Sequence, residues 1–251
     1  EAASALKPTR PGTIEEWARE TPLARSAFDY ANLSIGGAAD ALHALQLMVI
    51  KGGGLTSLAG FTLCRQAAEG AALGWWCLQD AAPRGLTATG LAAAWQDTSD
   101  RQNFAESINS PSEIAAANAV RRELLLNGRA QRLLNGKNKA PATTQPPWTT
   151  LFQQIPFGDT SLLWCYRSLS GAAHSRAWAQ LGMTKQREIQ SHVKISPEGS
   201  IQPTGVVVIE SGPNTSLLGN LLFVTLWLVN LAIQLETMRA TDQPQTRRRA
   251  A

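Results

Sequence analysis

The stretch Ser216-Leu217-Leu218-Gly219-Asn220-Leu221-Leu222-Phe223-Val224-Thr225-Leu226-Trp227-Leu228-Val229-Asn230-Leu231-Ala232-Ile233-Gln234-Leu235 decides how the chain is read. It holds no charge and is about long enough to cross a bilayer as a helix. Its polar residues argue otherwise. At 100° per residue, Ser216, Asn220, Asn230 and Gln234 fall within roughly a quarter of the circumference. A lipid-facing helix has no use for such a stripe. The pattern therefore predicts a core helix with a narrow polar edge, a membrane span being the other reading. Asn220, Asn230 and Gln234 are expected along that edge, with Leu222, Phe223, Leu226 and Trp227 packed inward. The expectation is a cytoplasmic protein without membrane contact.

Working outward, the rest of the chain supports a helical protein. Apolar residues make up 44% of the 251 and charged residues 17%, a globular composition. Residues 1–12 read as a loose arm, and 13–240 as a single helical domain. Helical spacing runs from about Thr13 to Ile50, with Trp17, Leu23, Phe28, Ala38, Leu42, Leu45 and Val49 on the apolar side. Gly36-Gly37 is the expected bend, and Lys51-Gly52-Gly53-Gly54 the end. Further helices are expected over Leu55–Gln79, Gly85–Ser107, Ser110–Leu134, Asp159–Leu181 and Asn214–Ala240. Ser110-Pro111-Ser112-Glu113 predicts a capping box. The Pro-rich segment 135–156 reads as a surface loop, 188–210 as a β-hairpin, and 241–251 as a disordered basic tail. The fold class is an all-α helical bundle of about five or six long helices with one small β-hairpin insertion.

The most legible chemistry lies in Tyr166-Arg167-Ser168-Leu169-Ser170-Gly171-Ala172-Ala173-His174. Arg167 and His174 are almost two helical turns apart, so they share a face with Ser170 between them. An arginine that never deprotonates beside an imidazole that exchanges protons near neutral pH suits phosphodiester chemistry. Arg187 and His192 have similar spacing, but on a helix or a strand they point apart. The alternative for His174 is a core histidine with Arg167 covering the helix edge. Arg65 and Glu69 lie one turn apart beside an apolar face. They read either as an edge ion pair or as a pair that holds a catalytic arginine in place.

Net charge is +4, and much of it is local. Arg121, Arg122, Arg129, Arg132, Lys137 and Lys139 face only one nearby acid, Glu123. The four arginines fall within roughly 100° of arc. Such a stripe tracks phosphates or is an ordinary solvated face. The three cysteines, Cys64, Cys77 and Cys165, form no metal-ligand spacing and read as reduced buried thiols. The opening Glu1-Ala-Ala-Ser-Ala lacks a basic-then-apolar export pattern. No phosphate loop, HExxH or GxSxG occurs. No metal or cofactor is expected.

The helix around Arg167, Ser168 and His174 resembles the catalytic helix of HEPN domains, with six residues between the arginine and the histidine. It is also similar to bacterial proteins with a YRxLSxxxH helix and an R…E helix, here Arg65 and Glu69. Where the family often has Asn after the arginine, this chain has Ser168. The resemblance implies a dimeric helical bundle that cleaves RNA without metal, as in toxin or phage-defence systems. Arg167 and His174 would be catalytic, with Tyr166, Ser168, Ser170, Arg65 and Glu69 in support and the basic stripe on the RNA. The alternative is a non-catalytic helical scaffold that binds a protein partner.

Overall fold

The computed structural model describes residues 12–52, 58–136, 139–158, 161–174, 184–195 and 201–242. Residues 1–11 of the expected arm (1–12), 243–251 of the expected tail (241–251), Gly53, Gly54, 55–57 of the expected second helix, Lys137, 159–160 and 175–181 of the expected fifth helix, and 196–200 of the expected hairpin lie outside them.

The described residues are mostly helical, an all-α class. The helices are α1 (Ile14–Glu20), α2 (Pro22–Ile50), α3 (Ala59–Leu78), α4 (Pro83–Ser107), α5 (Pro111–Ala130), α6 (Trp148–Gln154), α7 (Leu163–Ala173) and α8 (Thr215–Thr241). Strand backbone runs over Thr184–Ile195 (β1) and Ile201–Pro213 (β2), antiparallel, with Thr184 opposite Pro213 and Ile195 opposite Ile201. Register shifts fall at Glu188/Gln190 and Ser191/Val193. The strands pack chiefly on each other.

Helix α3 is the hub, packed by α2, α8 and α7. It buries Phe61, Cys64, Ala67, Ala68, Ala71, Ala72, Trp76 and Leu78. Its neighbour α2 answers with Ala24, Ala27, Ala31, Ile35 and Ala38. Small side chains on both sides let the helix axes approach. The approach of α4 is closer still. A Cβ on Gly90 would stand 1.7 Å from the Leu23 carbonyl oxygen of α2. Only hydrogen fits there.

The first and last described helices are tied at the foot of α3. Arg239 of α8 is 8% exposed. Its Nε donates to the Leu78 carbonyl at 3.0 Å and its Nη2 to the Gln79 carbonyl at 3.1 Å. Its Nη1 pairs with Asp242 at 3.1 Å. A cation on the last carbonyls satisfies groups that α3 leaves open and opposes the helix dipole. The Ile14 N–H in turn donates to the Asp242 carbonyl.

Several expectations are corrected. The first helix breaks at Thr21-Pro22, where proline takes a first-turn position. Gly36 and Gly37 continue through α2 with open space around them. The capping box does not form: Ser110 makes no side-chain cap, and Glu113 pairs with Arg101 at 2.6 Å. The segment 135–156 holds α6, whose Leu151 and Phe152 are buried, so part of it is core rather than loop. On α8, Ser216, Asn220, Asn230 and Gln234 are exposed as expected. Phe223 and Leu226 are not inward: they are 67% and 49% exposed. Phe223 falls inside the arc of those polar residues, so the helix cannot bury one without the other. The inward face is Leu218, Leu221, Val224, Thr225, Leu228 and Ala232. Helices α2 and α8, with mean hydropathy 1.4 and 1.9, are long and apolar enough to cross a membrane. Core helices share that length and composition.

Candidate functional site

Helix α7 is short because its first turn opens at Leu162, where the Ser161 hydroxyl accepts from the Leu163 N–H, and His174 closes it as C-cap. Its apolar residues Cys165, Leu169 and Ala172 recur at helical spacing and are buried on the α3 side. Cys64 and Ala68 do the same on α3. Arg65 and Glu69 flank that buried strip, so packing α7 on α3 brings its C-terminal edge to the Arg65 guanidinium.

Three side chains meet there. Arg65 Nε donates to Glu69 Oε1 at 2.8 Å. Arg65 Nη1 lies 3.3 Å from His174 Nε2. The Arg65 and Glu69 side chains are 18% and 21% exposed, while His174 is open to solvent. Arg65 Nη2 has no hydrogen-bond partner among the described residues. The cluster thus offers a half-buried cation with a spare donor, a carboxylate fixing it, and a solvent-facing imidazole. Such a set can hold a phosphate oxygen and exchange a proton beside it.

The Arg167–His174 pair is not a contact. Arg167 is exposed and makes no ion pair with the described residues. At 1.5 Å per residue it stands about 10 Å back along the axis. Both side chains nonetheless face solvent. Tyr166 stacks on Phe152 with ring centroids 4.9 Å apart, so it braces α7 against α6. Ser168 and Ser170 are half-buried, and the Ser170 carbonyl accepts from the His174 N–H at 3.0 Å.

The basic stripe divides. Arg121 turns inward over the Trp95 ring at 4.4 Å and donates to Gln102 at 2.8 Å. Arg122, Arg129, Arg132 and Lys139 are exposed. Arg132 sits at φ 55, just past α5, and Arg84 of α4 reaches its carbonyl at 3.4 Å. Arg84 is therefore a neighbour of the stripe that sequence spacing did not reveal. The contact between Arg65 and His174 was missed for the same reason, since 109 residues separate them.

The larger cavities lie elsewhere. A groove of about 550 Å³ between α2 and α8 is lined by Leu42, His43, Val49, Ile50, Leu222 and Leu226. A cleft of about 500 Å³ is lined by Tyr30, Asp97, Asp100, Pro146 and Trp148. Burial, and then the nearby Asp97 carboxylate, push the Tyr30 phenol above its usual range. No group of three or more His, Cys, Asp or Glu able to hold a metal occurs among the described residues. Burial pushes the thiols of Cys64, Cys77 and Cys165 up to about 12, so each is a neutral packing group.

Compared with protein-family models, curated proteins and solved structures, the chain matches none.

Proposed function

We propose that the protein is a metal-independent endoribonuclease of HEPN-like type, acting in the cytoplasm as a homodimer in a toxin or phage-defence setting. One observation carries this reading. The histidine that the α7 motif singles out meets a half-buried, carboxylate-held arginine at 3.3 Å, with a face open to solvent. The chemistry is transesterification. His174 takes the proton of the ribose 2′-hydroxyl, and the 2′-oxygen bonds to phosphorus as the bond to the 5′-oxygen breaks. Arginine stabilises charge on the phosphoryl oxygens. The products are a 2′,3′-cyclic phosphate and a 5′-hydroxyl. In-line displacement sets the attacking and leaving oxygens on opposite sides of phosphorus. A second copy then supplies the imidazole that protonates the 5′-oxygen. Arg122, Arg129, Arg132 and Lys139 hold the RNA backbone away from the scissile bond.

The test is incubation of purified protein with a mixed RNA pool in EDTA. Wild-type protein should leave cyclic-phosphate ends, and His174→Ala should cut at least a hundred-fold more slowly, the usual scale of a lost acid–base group. Because His174 is exposed, the variant should melt at nearly the wild-type temperature. Equal cleavage by both proteins, or none by either, refutes the reading.

A second reading, a non-catalytic scaffold for a protein partner, draws on the outer faces of α2 and α8. There Ile50, Phe223 and Leu226 are 68%, 67% and 49% exposed beside the apolar groove. Stable, well-folded protein with no cleavage in the assay above favours it.

A further inference from the structure

Resting on the ribonuclease reading, we infer that Arg65, positioned by Glu69, is the cation that works with His174, and that it caps the imidazole until a phosphodiester draws it away. A guanidinium carries donors only. At 3.3 Å from Arg65 Nη1, His174 Nε2 must therefore accept, which puts the ring proton on Nδ1. The contact thus selects one tautomer. It also occupies the lone pair that a general base needs.

Glu69 makes the arrangement stable. It takes Arg65 Nε at 2.8 Å and fixes the guanidinium plane. The pair is part-buried beside Cys64 and Ala68, where hydrogen bonds are electrostatically stronger than in open water. Arg167 has no such support: it is exposed and about 10 Å away along the helix.

An RNA phosphate competes for the same guanidinium. It is a charged acceptor, and a charge-assisted bond to it is stronger than one to a neutral ring. As two phosphoryl oxygens grip the guanidinium in a bidentate pair, one on the spare Nη2 and the other on the Nη1 donor, Nε2 is freed. Its lone pair then accepts the 2′-hydroxyl proton, giving imidazolium, while the 2′-oxygen attacks phosphorus. The bond from phosphorus to the 5′-oxygen breaks, and that oxygen takes its proton from the imidazole of the second copy. Substrate binding and base activation become one event. Glu69 is a positioning residue in this scheme and touches no substrate.

Ring-nitrogen NMR on full-length protein labelled with ¹⁵N-histidine tests this without any cleavage. The chain has three histidines, and His174→Gln assigns the signal. Wild-type His174 should show a protonated Nδ1 and a bare Nε2. Arg65→Met and Glu69→Gln should each shift the ring towards the Nε2–H form. A thymidine dinucleotide, which binds through phosphate but lacks a 2′-hydroxyl, should do the same to the unaltered protein. That arm needs no variant to fold. The proposal is overturned if wild type and Arg65→Met share one tautomer balance, or if the dinucleotide leaves the wild-type signal unchanged. Cleavage with no tautomer preference overturns this inference alone. A preference without cleavage upholds the cap and refutes the ribonuclease.

Discussion

Replacing Gly90 by alanine tests the packing of the bundle most directly. In an isolated helix the change is favourable by about 1 kcal/mol, because glycine surrenders more backbone freedom. Here the new methyl carbon would stand 1.7 Å from the Leu23 carbonyl oxygen and 2.9 Å from the Ala27 nitrogen. Both are backbone atoms of α2, so no side-chain rotation relieves the clash. Ordinary contact begins near 3.4 Å, so α4 must retreat by more than an ångström. That retreat opens the neighbouring cluster of Leu23, Leu91, Leu124 and Leu133. A gap of 0.5–1 Å already forfeits roughly a quarter to a half of the dispersion attraction across it. Overpacking of this kind costs about 1–3 kcal/mol, and a backbone clash belongs at the upper end. After the propensity gain, a net loss of about 2 kcal/mol remains, or roughly 4–8 °C in Tm at this chain length. Thermal unfolding followed by circular dichroism measures it. Gly36→Ala and Gly37→Ala are the controls, since nothing lies within 4 Å of either added methyl. Each should raise Tm by a degree or more. A Gly90→Ala protein as stable as wild type would mean that α4 does not seat against α2 at this distance.

Two further outcomes are expected. Replacing Arg122, Arg129 and Arg132 together by Gln should reduce the slope of log affinity for single-stranded RNA against log salt by about 2, at roughly 0.7 per phosphate contact. Arg121→Gln should leave that slope alone because the side chain is held over Trp95, and a matching loss from Arg121 would contradict this division of the stripe. All three thiols should resist a disulfide reagent in native protein and react once it is unfolded, since each is buried and its thiolate suppressed. Rapid modification of Cys64 or Cys165 would show that the α3–α7 seam opens.

The helices were legible from periodic apolar positions, and Pro111 marked the start of α5, whereas Pro22 and Pro83, which start α2 and α4, were passed over. Gly36 and Gly37 misled because a glycine pair ends a helix only where the backbone must turn. Phe223 misled although the information was present: its angular position lies between those of Asn230 and Gln234, and apolar character was given more weight than geometry. At the site, the α7 motif named His174, and the spacing of Arg65 and Glu69 on α3 named a pair. That these are one cluster depends on how α7 lies across α3. The buried strips of α3 and α7 decide it, and no local pattern encodes the crossing. The inward turn of Arg121 has the same origin, since Trp95 and Gln102 belong to another helix.

The knot at Arg239 gives the chain a schedule. The carbonyls it satisfies belong to Leu78 and Gln79, 161 and 160 residues earlier. Closing so long a loop is slow relative to forming the local contacts of α2 with α3, and contact separation of this kind lengthens folding. A nascent chain that has released α1 to α7 from the ribosome still lacks the cation that finishes α3. It also lacks the apolar face of Leu221, Val224 and Leu228 that roofs the hub. During synthesis the central helix is therefore exposed on one side until nearly the last described residue has emerged. Over that interval it depends on whatever else in the cell shields an unroofed apolar surface.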